Sequence, residues 1–445
     1  DSINGDGGFS GIFEQTPTLL SAHKVANDKV DFLFVVQLEN ISQNTFANAA
    51  IGRLQKQGYR FKTRNYNDFK ISEISHQGKT LTFIFYKNFF LASFTPYLIE
   101  DAIRAISNSE IQSYKERFIS LSDAQSSGLS LYVNFAKTNN LFGAFTKNLP
   151  DLPFVSGKYS LTMDSTTLQL SGFTKGSEQW TKVHNSQPAT FEMVEVVPEN
   201  TAYFHHITAT DFSEWKSKHI QSIRSSNPKI KKLQDSLKSA FDFHSDQVFD
   251  LVNDEIGIAH LESVRARDEH KLLILEVKDM SETLRFFSQL TQRIALARGD
   301  SIYTESYSEN EIRFLPIRNF PFLIIGEVAN GFKQSFYINY RNYLIFSNDL
   351  QHLKNLVKSI QNENTWGKSI RMNNFLQRTN DASNIGLYIN IPRAWNTFIT
   401  TLNPTWSEHF KKNAQVYQSI DLAAFQFSSL NGQFFTNYTF SQPTT

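Results

Sequence analysis

Cysteine is absent from all 445 residues, which excludes a disulfide scaffold, a thiolate metal site, iron–sulfur chemistry and a cysteine nucleophile. A surplus of either charge is missing too: 44 Lys and Arg face 43 Asp and Glu, leaving a net charge of +1. Nucleic-acid and polybasic membrane-surface binding both need clustered positive charge, so neither is expected. No run of about 18 apolar residues exists that would read as a membrane-spanning helix. Tryptophan (5) and methionine (4) are scarce. Phenylalanine supplies the apolar mass instead, with 40 residues, each burying a large ring that has no polar tip to satisfy. A hydrophobic fraction of 40% belongs to a folded chain, and the length suggests two or three domains.

The order of motifs points to an internal duplication. Tyr86-Lys87-Asn88-Phe89-Phe90-Leu91-Ala92-Ser93 aligns with Tyr340-Arg341-Asn342-Tyr343-Leu344-Ile345-Phe346-Ser347, an offset of 254 (340 minus 86). Leu131-Tyr132-Val133-Asn134 matches Leu387-Tyr388-Ile389-Asn390 at 256, and the stretch from Val36 answers that from Leu275 at 239. Earlier still, Ser21-Ala22-His23 faces Ile258-Ala259-His260 at 237. The offset grows along the chain, as it would if loops of the second copy had lengthened.

Each copy reads into the same elements. An apolar strand buried on both faces is expected over 31–38, with its partner over 270–277. A helix is expected over 45–57, and its counterpart opens after Ser281 as N-cap. A hairpin follows in each copy, turning at Lys87-Asn88 and Arg341-Asn342, where Asn would take the positive φ. Leu98, Ile99, Ala102, Ile103 and Ile106 then form one helical stripe, as do Leu350, Leu353, Leu356, Val357 and Ile360. Pro96 suits a first helical turn. Strands over 130–135 and 160–173, and over 386–391 and 421–440, close the copies. The expected fold is therefore α+β: a tandem duplicated module of largely antiparallel sheet with packed amphipathic helices. The modules are placed at 1–190 and 191–445. The first reads as truncated at its start, because 22 residues precede His23 whereas a long polar helical region over 211–252 precedes His260. A targeting or anchoring segment would then lie outside this chain.

Two features carry a resemblance. One is the opening Val197-Pro198-Glu199-Asn200-Thr201, and the other is the repeated Tyr-basic-Asn-aromatic hairpin ending in Ser93 or Ser347. In both, the chain resembles a poorly characterised group of exported or anchored bacterial envelope proteins classed as a domain of unknown function. The resemblance implies an address and an architecture, not a reaction. A second signal agrees with that address. Asp1-Ser2-Ile3, Asp164-Ser165-Thr166, Asp235-Ser236-Leu237 and Asp300-Ser301-Ile302 resemble the Asp-Ser/Thr-apolar O-glycosylation site of exported Bacteroidota proteins. Ser2, Ser165, Ser236 and Ser301 are the candidate modified residues.

Catalytic motifs are missing: there is no GxxxxGK[ST], GxSxG, HExxH or GxGxxG. His205 and His206 should point to opposite faces of a strand, which separates them as metal ligands. His244-Ser245-Asp246 has triad residue types but reads as a polar helix boundary, since a triad is defined by spatial roles. Glu199, Asp211 and Glu214 could imitate a carboxylate cluster, although Asp211 is better read as a helix cap. Asn4-Gly5-Asp6-Gly7-Gly8 lacks the distal Glu of a calcium loop. Asn40-Ile41-Ser42 and Asn437-Tyr438-Thr439 fit the N-glycosylation triplet by chance. No catalytic, metal or cofactor residue is assigned and no cofactor is expected. The expected role is a non-enzymatic scaffold or binding protein of the bacterial cell envelope, periplasmic or outer-membrane associated, with a protein partner. Any membrane association would run through a segment outside the chain. The alternative is a carrier or chaperone with a Phe-lined cleft; a hydrolase whose polar residues converge from both modules ranks below it.

Overall fold

A computed structural model of the chain describes residues 18–27, 29–38, 52, 56, 59–107, 129–135, 137–138, 145–146, 152–263 and 270–443. Its contacts divide the chain into two compact units. The first comprises Asp1–Ser120 and Lys137–Asp151, and the second Leu121–Ala136 and Leu152–Thr445.

The first unit holds a six-stranded antiparallel sheet made of β1 (Thr18–Ala26), β2 (Lys29–Gln37), β3 (Arg60–Tyr66), β4 (Phe69–His76), β5 (Lys79–Tyr86) and β6 (Phe89–Ser93). Their spatial order is β1-β2-β6-β5-β4-β3. Two-residue turns join β3 to β4 and β4 to β5. Asn67, Asp68, Gln77 and Gly78 all take positive φ there, which matches the turn to the twist of the strands. At the next turn the expectation fails: Lys87 takes the positive φ (51°), and so does Arg341 (50°), rather than the Asn that follows each. The helix Pro96–Ser107 begins at Pro96 as expected and lays Ile99 and Ile103 on Ile71, Ile84 and Leu91. Phe83, Ile74 and Ala92 form a smaller core elsewhere in the sheet. β2 is not buried on both faces, because Phe32 is 40% exposed and a single strand separates β2 from the end of its sheet. The helix expected over 45–57 lies outside the described residues.

The second unit adds β7 (Ser130–Asn134), β8 (Phe154–Met163), β9 (Thr167–Gly176), β10 (Ala189–Thr190), β11 (Thr201–Thr208), β12 (Val252–Leu261) and β13 (Lys271–Val277). It continues with β14 (Thr304–Tyr307), β15 (Asn310–Phe314), β16 (Phe336–Tyr340), β17 (Tyr343–Ser347), β18 (Ala382–Ser383), β19 (Ile385–Asn390), β20 (Leu422–Leu430) and β21 (Gln433–Ser441). β10 and β18 pair with each other. The others make a thirteen-stranded sheet in the order β14-β15-β16-β17-β13-β12-β11-β19-β20-β21-β9-β8-β7. Every described ladder is antiparallel, so the fold is α+β with antiparallel sheets. The runs expected as single strands over 160–173 and 421–440 are instead hairpins. Asp164 accepts the N–H of Thr166 and of Thr167, both at 2.7 Å, to close the first turn, and Asn431-Gly432 at φ 51° and 76° makes the second.

Both faces of the sheet are covered around β12, β13 and β17. One carries Phe249, Phe287, Phe320 and Phe346 among the helices Phe212–Ser226 and Met280–Arg298. The other carries Phe204, Trp366 and Tyr388 with Leu353 and Leu356 of the helix Leu350–Gln361. β13, buried in all but its first residue, therefore behaves as β2 was expected to. The helix Met280–Arg298 is capped by Asp279, which accepts the N–H of Glu282 at 2.9 Å, and not by Ser281. The boundary expected at 190/191 falls inside this unit, because β9 pairs with β21 from Thr174↔Phe434 to Thr167↔Ser441.

The two sheets share details beyond antiparallel pairing. From β1 the first runs β1-β2-β6-β5-β4-β3, and from β12 the second runs β12-β13-β17-β16-β15-β14, the same succession in chain order. Ser93 Oγ donates to the Phe32 carbonyl at 2.8 Å and Ser347 Oγ to that of Lys271 at 3.1 Å. The N–H of Leu38 reaches Asn88 O at 2.6 Å, and that of Val277 reaches Asn342 O at 2.8 Å. These bonds carry the offsets 239 (277 minus 38) and 254 (342 minus 88).

Candidate functional site

The motif that opens β11 forms a closed turn. The Thr201 N–H and hydroxyl both donate to the Pro198 carbonyl, at 3.1 and 2.7 Å. Val197 O accepts from Trp366 N at 2.9 Å, while Glu199 N donates to Asn364 O at 3.0 Å. Pro at the start and a buried Thr at the end are what this turn requires, so the motif is a structural lead-in to the strand.

Pro198 and Asn200 also border a concave site. Together with Glu262, His270, Asp349 and His352 they line a cavity of about 320 Å³. The rings of His270 and His352 stand 4.3 Å apart. Burial and the neighbouring His270 lower the His352 pKa, against the pull of Asp349, so the ring stays neutral at pH 7. Its Nδ1 is buried without a partner among the described residues. Asp349 caps the helix Leu350–Gln361 by accepting from Gln351 N at 2.7 Å, and Glu262 pairs with Arg393. Both carboxylates are thus occupied. The cavity offers hydrogen-bonding groups to a small polar moiety but no activated nucleophile.

A second constellation is fully enclosed. His206 Nε2 donates to Glu255 Oε1 at 2.8 Å, and the same oxygen accepts from Glu192 N at 2.7 Å. The two side chains are 0% and 2% exposed. His206 Nδ1 and Glu255 Oε2 have no partner among the described residues, and Phe191 lies 4.4 Å from the imidazole. Nearby, burial raises the pKa of Glu276 and the charge on Glu255 adds to it, although Asn253 and the Asp254 N–H work against it. Asp254 is raised by burial and then by Glu255 and Glu192. Sequence reading missed this histidine–carboxylate pair, since His206 and Glu255 lie 49 positions apart. The only available signal was charge inside the otherwise apolar strands β12 and β13.

As expected, His205 points away from His206. It packs 5.5 Å from His260, whose ring stacks on Tyr203 at 4.0 Å. Burial lowers both pKa values, that of His205 to about 4. The alignment of His23 with His260 does not survive the ladders. Ser21 pairs with Leu33 and Ala259 with Leu272, so with β2 set on β13 at offset 239 the strands β1 and β12 align at 238 (259 minus 21), and Ala22 takes the place of His260. A one-residue slip reverses the face.

The remaining candidates are dispersed. His244-Ser245-Asp246 is a turn ahead of the helix Gln247–Leu251. Asp211 caps its helix through Ser213 N at 2.8 Å, and Glu214 pairs with Lys218. Asn437 is buried and bonded to Thr439, which closes that triplet to a glycan. Ser165, Ser236 and Ser301 are exposed; Ser2, the loop at 4–8 and the triplet at 40–42 lie outside the described residues. Among the described residues no group of three or more His, Asp or Glu could hold a metal ion, and no helix is long and apolar enough to cross a membrane.

A family profile described as "Protein of unknown function (DUF3352)" matches residues 16–271, more than half of the chain. The chain belongs to this family. The DUF3352 match takes in the first sheet, the Pro198–Thr201 turn, His206 and Glu255, and it ends on the first residue of β13. Neither a curated protein nor a solved structure matches the chain.

Proposed function

We propose that this DUF3352 protein is a non-enzymatic scaffold or binding protein of the bacterial cell envelope, exported in the manner of Bacteroidota proteins. The observation that carries the reading is the apolar end of its large sheet. Among the described residues β7 is the terminal strand; Leu131 and Tyr132 on it are 41% and 45% exposed, and Leu129 just before it is 57% exposed. Exposed apolar side chains along a sheet edge favour addition of a partner's strand. Exposed Asp-Ser triplets at 165, 236 and 301 support the exported address. The cavity around Pro198 and Asn200 is lined by polar groups together with Leu261, Leu272 and Leu356 but by no Phe, whereas Phe204, Phe249, Phe287, Phe320 and Phe346 lie in packed cores. That distribution favours a scaffold over a carrier.

Cross-linking of the full chain in intact envelopes tests the reading. One discrete partner is expected, and L131D should abolish its capture while leaving circular dichroism unchanged. A chain that remains monomeric and uncross-linked in the envelope fraction would overturn it.

A further inference from the structure

β11 is held on both sides in the second unit, by β12 and by β19. β1 stands where β12 stands: each begins the same succession of six strands, and the repeated Ser93 and Ser347 hydrogen bonds fix their neighbours in the same register. Yet among the described residues no strand pairs with the other side of β1, which ends its sheet. The side chains differ accordingly. The ladders set Leu20 in the place of Ile258; Ile258 is 1% exposed and Leu20 is 54% exposed. Leu19, on the opposite face of the same strand, is 50% exposed. An edge strand with large apolar residues on both faces is a site for pairing.

We propose that the first unit is a copy of the β12–β17 portion of the second, and that the outer edge of β1 seats an extended segment supplied from outside this chain. The segment runs antiparallel to β1, as β11 runs to β12, and carries the side-chain pattern of β11. In β11, Ala202, Phe204, His206 and Thr208 are buried, alternating with Tyr203, His205 and Ile207 on the other face. The place opposite Ser21 corresponds to that of Phe204 opposite Ala259. Main-chain hydrogen bonds supply the affinity, and the alternating apolar and aromatic side chains supply the choice of partner. This goes beyond the β7 edge of the reading above, since β1 and β7 lie in different sheets.

Amide hydrogen exchange on the full chain tests the proposal, with a synthetic peptide of the Asn200–Ala209 sequence as probe. At about 1 mM peptide, roughly ten times the Kd of a weak strand-addition contact, the outward-facing alternate amides from Leu19 to Lys24 should slow by about tenfold. A scrambled peptide should have no effect. Leu20→Lys should remove the protection without changing the far-ultraviolet spectrum, because the side chain is already exposed. Unprotected β1 amides at 1 mM peptide, or protection that persists with the scrambled peptide, would overturn the proposal. So would protection, in the chain alone, of the outward-facing β1 amides that do not bond β2. Protection independent of concentration would assign the edge to residues ahead of β1, and concentration-dependent protection would assign it to a second copy. Unprotected β1 alongside an envelope partner still lost in L131D would sink this inference alone; protected β1 with no envelope partner would sink only the scaffold reading.

Discussion

His219 lies flat on Trp215, ring centroids 4.1 Å apart, and donates from Nε2 to the Ile324 carbonyl at 2.9 Å. Burial lowers its pKa to about 4, against the pull of that carbonyl. The sign of the linkage follows. Above pH 6.5 the ring is neutral folded and unfolded, and pH has no effect through it. Between 6.5 and 4 the unfolded chain takes up a proton that the folded chain refuses, so stability falls as pH falls. Over that window the loss is about 3 kcal/mol from this residue, and urea titrations at pH 7 and pH 4.5 should show it. His219→Gln should flatten the slope. The enclosed His206–Glu255 pair makes a different demand. Glu255→Ala leaves His206 Nε2 and the Glu192 N–H without an acceptor, and should cost about 3 kcal/mol. Replacing both, as His206→Phe with Glu255→Leu, should recover much of the loss; equal destabilisation in the single and double variants would count against the pair acting as a unit.

Elements are held by backbone constraints that side-chain patterns do not announce. A Cβ on Gly172 of β9 would collide with the Lys158 carbonyl and Tyr159 Cα on β8. Gly172→Ala should therefore cost about 3 kcal/mol and lower the thermal midpoint. Gly432, at φ 76° with open space around it, should cost only about 1 kcal/mol as Ala, from conformation alone. The sequence showed the helices Pro96–Ser107 and Leu350–Gln361, because their stripes repeat at helical spacing and both faces of the pattern are clear. The strands β2, β5 and β6 and their counterparts β13, β16 and β17 were legible through the offsets 239 and 254. The match of Leu131 to Leu387 did not hold, because β7 and β19 lie at different places in one sheet. The hairpins β8–β9 and β20–β21 were read as single strands, because their turns are only two or three residues long; Asn431-Gly432 was the signal passed over. Asp279 displaced Ser281 as cap since a carboxylate two residues earlier reaches the Glu282 N–H. Glu255 and His206 could not be joined in advance, because the register of β11 on β12 sets their distance.

At the scale of the whole second unit, one ladder joins strands far apart in the chain. β9 pairs with β21 through eight residue pairs, and Ser171 Oγ donates to Asn437 Oδ1 at 2.7 Å across it. β8 pairs with β9 over nine residue pairs, with one irregularity between Phe154 and Ser156. A protease site placed in the exposed 164–166 turn should cut the chain without releasing its pieces. The two fragments should co-elute on gel filtration and separate only in denaturant; separation in plain buffer would show that the ladders are weaker than their length implies.

The same ladder bears on how the protein is made. Between Gly176 and Gln433 the ribosome must add 257 residues (433 minus 176) before the partner of β9 exists. At about 5–20 residues per second this takes roughly 10 to 50 s. Throughout that interval the nascent chain carries an open apolar strand, Phe173 included, and closure waits for the last strand to emerge. Chains released short of β21 keep that strand open, which makes them clients for chaperones and proteases. The β20–β21 hairpin thus decides whether the open edge of β9 is closed or left to chaperones and proteases.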